Sequence, residues 1–273
     1  MIIVQGRALN MNAVPYSMLE ANKAQILRKM AQYQTIYRYD NIMQLDFELT
    51  TRLRIVEASY LLYRSGARFA TFKESECNET YWLRTEKGGF KLKENVLPSV
   101  ALNDIFFNGS LYAFECAVAI VMVFYRGVLE SIGERDFNQL FTNLVLYSGK
   151  FDEDLNLQNH HGYDFLEGDC AYFKNPDHHE DTPQWQGENT IIVGDDLYFG
   201  HGVGVKSAEG IIELLNEKRK ENATESAYLT SYITRVGFRY LSQFYVHRDV
   251  LVEVDYDKLP LVVSQIGSST YIG

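Results

Sequence analysis

The chain has 273 residues, 46% of them hydrophobic and 14% aromatic, enough to bury a real core as one large domain or a main domain with an appendage. Its net charge of −10 argues against nucleic acid or an anionic membrane surface as a partner. The three cysteines, Cys77, Cys116 and Cys170, have no Cys-x-x-Cys spacing and fit neither a disulfide framework nor a zinc site.

The opening residues lack the basic and long apolar segments of a signal peptide. The most apolar run, residues 117–125, is nine residues long, whereas a membrane helix needs about 20. The expectation is a chain made in the cytoplasm with no membrane contact.

In chain order, Ser17 to Glu20 has capping-box spacing, and Leu19, Ile26, Leu27 and Met30 recur at helical intervals, predicting a helix over 18–32. A longer helix is expected over 43–65, with Leu45, Leu49, Leu53, Val56, Tyr60 and Leu61 inward and Gly66 at its end. Residues 68–72 read as a strand, and 81–83 with 90–92 as a hairpin around Gly88-Gly89. Helices follow over 98–107, from about 114, and over 135–143; the polar stretch 148–168 reads as a long loop. A strand over 170–173 precedes the clearest hairpin, 191–193 with 197–199, and Ser207 caps a helix expected to reach 222. Residues past 235 show apolar patches without a readable pattern. The reading is α+β, a single compact domain with helices and antiparallel hairpins segregated, residues 1–235 forming the main unit and 236–273 an extension of unknown role.

Two clusters carry the chemistry. Gly109 and Ser110 break the chain before Leu111, so Cys116 falls near the first turn of an apolar helix, where free backbone N–H groups and the helix dipole favour a thiolate. A cysteine on such a helix is also ordinary core packing. Glu115, the only charged residue between Leu111 and Tyr125, is either functional or an outward-facing first-turn acid. The second cluster places Glu188 at the mouth of a strand and His201 just past its hairpin partner, so the two ends approach one another. A helix cysteine with an acid and a histidine on a later hairpin is the layout of a papain-like thiol site.

Several segments then occur in one order. They are Phe69-Ala70-Thr71-Phe72, Tyr112-Ala113-Phe114-Glu115-Cys116-Ala117, Gly168-Asp169-Cys170-Ala171-Tyr172-Phe173-Lys174-Asn175-Pro176, Trp185-Gln186-Gly187-Glu188-Asn189, Tyr198-Phe199-Gly200-His201-Gly202-Val203-Gly204 and Ser226-Ala227-Tyr228-Leu229. Over residues 1 to about 235 the chain resembles the bacterial spore-coat protein-glutamine γ-glutamyltransferases, the transglutaminases. The resemblance implies a papain-like core, Cys116 as nucleophile, Glu188 as its partner, Glu115 as a partial substitute and His201 near the site. It also implies substrate contacts from Phe69, Tyr112, Trp185 and Asn189. Ser148-Gly149 stands where an aromatic is expected.

The implied reaction joins glutamine and lysine side chains of spore-coat proteins through a thioester, with loss of ammonia, after synthesis in the mother-cell cytoplasm. Burial among aromatics would raise the Glu188 pKa toward that of the thiol, giving a Cys116–Glu188 pair that is neutral or shares a proton at rest. Asp152-Glu153-Asp154 is too short for a calcium loop, and the His160-His161 and His178-His179 pairs read as solvated, so no metal or cofactor is expected. Two alternatives stand beside this reading: a thiol amidase or peptidase using water as acceptor, and a non-catalytic coat protein with Cys116 in its core.

Overall fold

The computed structural model describes residues 1–14, 21–147 and 152–245, with the backbone of 263–266 and 269–272. The expected capping box at Ser17 and the Ser148-Gly149 stretch lie outside these residues.

The N-terminal part is a small layer. Strands β1 (Ile2–Val4) and β2 (Arg7–Ala8) form a hairpin, helix α1 (Ala21–Gln32) follows, and β3 (Tyr37–Tyr39) pairs parallel with β1. Ile26, Leu27 and Met30 of α1 pack with Ile2, Tyr37, Tyr39, Leu45 and Leu49 into a separate apolar cluster.

Helix α2 (Ile42–Arg64) starts at Asn41, whose side chain accepts the Gln44 amide. Its buried set differs from the expected stripe: Leu45 and Leu49 are buried, but Leu61 is exposed and Phe47, Ile55, Ala58 and Leu62 are buried instead. The cause is that α2 is packed on two sides, its first half against the N-terminal cluster and its second against the main core. A helix buried on two sides carries no single amphipathic stripe.

Strand β4 (Arg68–Phe69) is shorter than expected; the hairpin β5 (Trp82–Arg84) and β6 (Phe90–Leu92) and helix α3 (Pro98–Phe107) form where the sequence places them. Strand β7 (Ala113–Phe114) pairs parallel with β4, Phe69 opposite Phe114, and leads into the central helix α4 (Cys116–Ile132). Helix α4 is buried along nearly all its length. Gly127 is required there, because a Cβ would sit 2.4 Å from Ile55 Cγ1 of α2. The interior glycine costs up to about 1 kcal/mol of helix stability relative to alanine, offset by the close approach of the two helices. Helix α5 (Glu134–Leu140) and β8 (Val145–Leu146), which joins β6, complete this half.

The principal sheet comprises β9 (Gln158–His161), β10 (Cys170–Lys174), β11 (Gly187–Gly194), β12 (Leu197–Gly200), β13 (Gly204–Lys206) and β14 (Tyr228–Arg235). Its order is β13-β12-β11-β10-β14-β9, antiparallel throughout. Strand β9 lies in the stretch expected to be a loop. It is the exposed outer strand, so its backbone pairs with β14 without any apolar alternation in Gln158-Asn159-His160-His161. One sheet face packs on α4; the other, through Phe173, Ile192 and Tyr198, packs on α6 (Ala208–Asn216). Helix α6 begins at its Ser207 cap as expected but stops short of 222, because the Asn216 side chain turns to bind Ser226 and the Ala227 amide.

Beyond 235, Val236 and helix α7 (Phe238–Leu241) continue the main core, and Arg52 lies 4.8 Å over the Phe238 ring. Packing therefore runs ten residues past the expected boundary, to Tyr245, whose ring meets Phe47 edge-on. Further on, the backbones of β15 (Val263–Ile266) and β16 (Ser269–Ile272) pair as a hairpin.

Candidate active site

Cys116 is the first residue of α4 and 2% exposed. Glu115 is the helix N-cap: its Oε2 accepts the Ala117 amide at 2.9 Å, and its Oε1 accepts the Cys116 thiol at 2.9 Å. The lone acid in an apolar run is thus explained twice, as a cap and as the acceptor of the thiol proton.

The approach of the chain to Cys116 is fixed by short backbone bonds. The Arg68 amide donates to Tyr112 O, the Ala70 amide to Phe114 O and the Glu76 amide to Ala113 O, at 3.1, 3.0 and 2.8 Å. From the other side, β11 brings in Glu188, also 2% exposed, opposite Phe173 of β10. Glu188 Oε1 has no hydrogen-bond partner among the described residues and packs against Gly200, where a Cβ would lie 2.7 Å away.

Burial pushes the Glu188 carboxyl well above its ordinary range, and the nearby Glu115 charge pushes it further. Burial likewise raises the Cys116 thiol, with the Glu188 and Glu115 carboxylates adding to the effect; the backbone N–H of Asn189 bonds to the sulfur and opposes it. The thiolate favoured by the helix start is therefore outweighed at rest by desolvation and two acids. Both shifts favour the protonated forms of Cys116 and Glu188.

His201 follows β12 and is buried. Its Nε2 lies 3.1 Å from the Arg68 carbonyl, which only accepts, so Nε2 carries the proton. The ring stacks on Phe114 at 4.5 Å and tilts against Phe69 at 6.4 Å. Burial lowers its pKa to about 4, against the opposing pull of the Arg68 and Phe114 backbones. Among the described residues no hydrogen bond joins His201 to Cys116 or Glu188. It braces the β4–β7 pair behind the nucleophile.

The four residues expected to meet substrate separate. Phe69 and Trp185 are half-buried and stack on each other at 6.3 Å as an aromatic wall, with Phe69 tilted against His201 and Trp185 packed against the cluster on the α6 face of the sheet. Asn189 contributes its backbone N–H to the sulfur. Tyr112 is a correction: it is wholly buried, and its hydroxyl donates to Asp104 Oδ2 at 2.6 Å, because the residue sits in the turn beneath β7 rather than on the wall. Sequence reasoning passed over Tyr172, whose titration is raised by burial and by Cys116, Tyr228 and Glu188. Pairing of the two strands sets it opposite Asn189, a register that no motif announces.

The histidine pairs are absorbed locally: His160 Nε2 contacts Asp164, His161 Nδ1 contacts Ser231, and His178 Nδ1 contacts the Asn175 carbonyl. No helix among the described residues is long and apolar enough to cross a membrane.

An α+β fold that closes a thiol and two carboxyls at the head of a buried helix is suited to acyl transfer, and the comparisons with known proteins agree. The family model for protein-glutamine gamma-glutamyltransferase matches residues 1–245. The chain is 46% identical over 229 residues to the protein-glutamine gamma-glutamyltransferase of Bacillus cereus strain B4264, covering 84% of this chain and 83% of that one. It is 46% identical over 227 residues to the Bacillus anthracis strain CDC 684 enzyme, covering 83% and 82%. A solved transglutaminase from Geobacillus stearothermophilus, taken without its C-terminal extension, superposes with a TM-score of 0.74 at 55% identity, covering 76% of this chain and 99% of that one. This chain belongs to the protein-glutamine gamma-glutamyltransferase family and is an acyltransferase acting on protein glutamine and lysine side chains.

Proposed function

We propose that the transfer runs through a thioester on Cys116, within a papain-like core formed by α4 and the principal sheet. The observation that carries this reading is the contact of one buried thiol with two carboxyls, Glu115 and Glu188. As the sulfur attacks the glutamine carboxamide, its proton passes to Glu115, which already accepts it at 2.9 Å. Glu188, neutral at rest, gives its proton to the departing ammonia as the carbon–nitrogen bond breaks. Left ionised in the thioester, Glu188 then takes the proton of the attacking lysine amine. The thiol leaves with the proton held by Glu115, which restores both groups. The N–H of Asn189 stabilises negative charge on sulfur, and the N–H of Cys116 itself, at the start of α4, stabilises the tetrahedral oxygen.

Phe69 and Trp185 line the passage by which substrates enter. Such an apolar passage favours aminolysis over hydrolysis. We assign the chemistry to residues 1–245, the region matched by the family, with no metal, calcium ion or other cofactor. Spore-coat proteins are the proposed substrates, and the spore coat, reached from the mother-cell cytoplasm, the proposed location; both rest on the resemblance of the motifs around Cys116, Glu188 and His201.

The test is incorporation of a fluorescent primary amine into a glutamine-containing protein by wild type and Cys116→Ala. Incorporation that vanishes in the variant is expected. Cys116-dependent ammonia release without incorporation would mean an amidase, and incorporation persisting in the variant would remove Cys116 as nucleophile.

A further inference from the structure

Tyr172 stands on β10 directly opposite Asn189, the residue whose N–H reaches the Cys116 sulfur. Its ring lies across Gly187: a Cβ there would be 2.2 Å from the Tyr172 hydroxyl oxygen and 2.5 Å from Cζ. The absence of a side chain immediately before Glu188 is thus what lets the phenol occupy the rim of the site. The ring is half-buried, so its hydroxyl is reachable from solvent. That hydroxyl donates to the Gln186 carbonyl at 3.5 Å, well beyond the roughly 2.7–2.8 Å of a good O–H···O bond. The hydroxyl's bond within the protein is therefore long and weak, and a better-placed acceptor can replace it.

The surroundings define what it takes. Glu115 presents acceptor oxygens beside the sulfur, and the proton of Glu188 is reserved for the departing ammonia. An incoming lysine amine brings donors and is met by these carboxyls. A glutamine carboxamide brings a carbonyl oxygen, which needs a donor and is repelled by carboxylates. The geometry points to Tyr172 as a substrate-contacting residue whose hydroxyl donates a hydrogen bond to the side-chain carbonyl oxygen of the glutamine donor as that carbonyl lies over Cys116. The assignment rests on Cys116 being the nucleophile, and it makes Tyr172 selective for the donor half of the reaction.

Tyr172→Phe removes the hydroxyl and keeps the ring. Steady-state rates with a glutamine-containing peptide and a primary amine should show kcat/KM for the peptide falling about tenfold, the worth of one neutral hydrogen bond, with KM for the amine unchanged. The rate of Cys116 with methyl methanethiosulfonate, a thiol reagent lacking an amide, should stay at the wild-type value. Peptide kinetics within twofold of wild type would overturn the assignment. So would a defect confined to the amine, or thiol reactivity falling in step with activity, which would mean that the phenol acts through packing. Amine incorporation surviving in Cys116→Ala would instead overturn the nucleophile reading, and this inference with it.

Discussion

The Cys116 thiol donates to Glu115 Oε1 at 2.9 Å while the other oxygen of the same carboxylate caps the helix that Cys116 begins. One side chain therefore both sets the start of α4 and receives the proton of the nucleophile. Glu115→Gln keeps an oxygen to cap the helix but weakens the proton acceptor, whereas Glu115→Ala removes both. The alanine variant should lose about 1 kcal/mol of stability, the glutamine variant distinctly less, and both should lose activity. Chemical denaturation beside amine incorporation checks this; equal stability of the two variants would remove the capping role.

Glu188 is a source of instability that grows with pH. Its pKa in the folded protein lies well above the ordinary 4.5. Below that ordinary value both folded and unfolded forms are protonated, and nothing is lost. As pH rises from 4.5 toward the raised value, only the unfolded chain ionises, so stability falls. Glu188→Gln escapes this, and its Tm advantage over wild type should widen across that window while activity is lost. A Tm difference independent of pH would show that Glu188 ionises normally in the folded state.

The opposite sign applies to His201, whose pKa is lowered to about 4 from 6.5. Between these values the unfolded chain takes up the proton first, so the His201 contribution is present above 6.5 and is lost as pH falls toward 4. His201→Phe keeps ring packing on Phe114 and Phe69 but leaves the Arg68 carbonyl without its donor. The variant should lose about 1–3 kcal/mol, drop the acid-side instability, and retain a measurable part of its activity. Loss of all activity with wild-type stability would place the imidazole in the chemistry itself.

Behind the site, Arg52 of α2 is wholly buried, with Nε on Glu48 at 2.9 Å and a terminal nitrogen on Asp169 at 2.7 Å. Asp169 immediately precedes β10, and β10 carries the pairing that holds Glu188. Arg52→Ala leaves buried Glu48 with the Tyr39 hydroxyl and buried Asp169 with Arg235 and the Leu166 amide, and the loss of the shared cation should cost about 3–5 kcal/mol. Urea unfolding measures it; a loss under about 1 kcal/mol would mean that the network is solvated.

Legibility followed locality. Helices α3 and α4 and the hairpin β11–β12 were readable because caps, turns and apolar runs are local signals, and the same runs singled out Cys116 and Glu115. The inner face of α2 was not, because burial on two sides hides the stripe, and β9 was not, because an exposed outer strand needs only its backbone. Glu188 and His201 were reached through hairpin geometry. Tyr172 was missed because only strand register brings it to the sulfur, and Tyr112 was misplaced because its motif neighbours lie at the site while its own side chain turns inward to Asp104.

The most direct test of the coupled Cys116–Glu188 pair is the rate of Cys116 alkylation against pH in wild type and Glu188→Gln. The wild-type midpoint should lie above that of an ordinary thiol, near 9.0, and should move down when residue 188 can no longer ionise beside the sulfur. An ordinary thiol profile that Glu188→Gln leaves unchanged would contradict it.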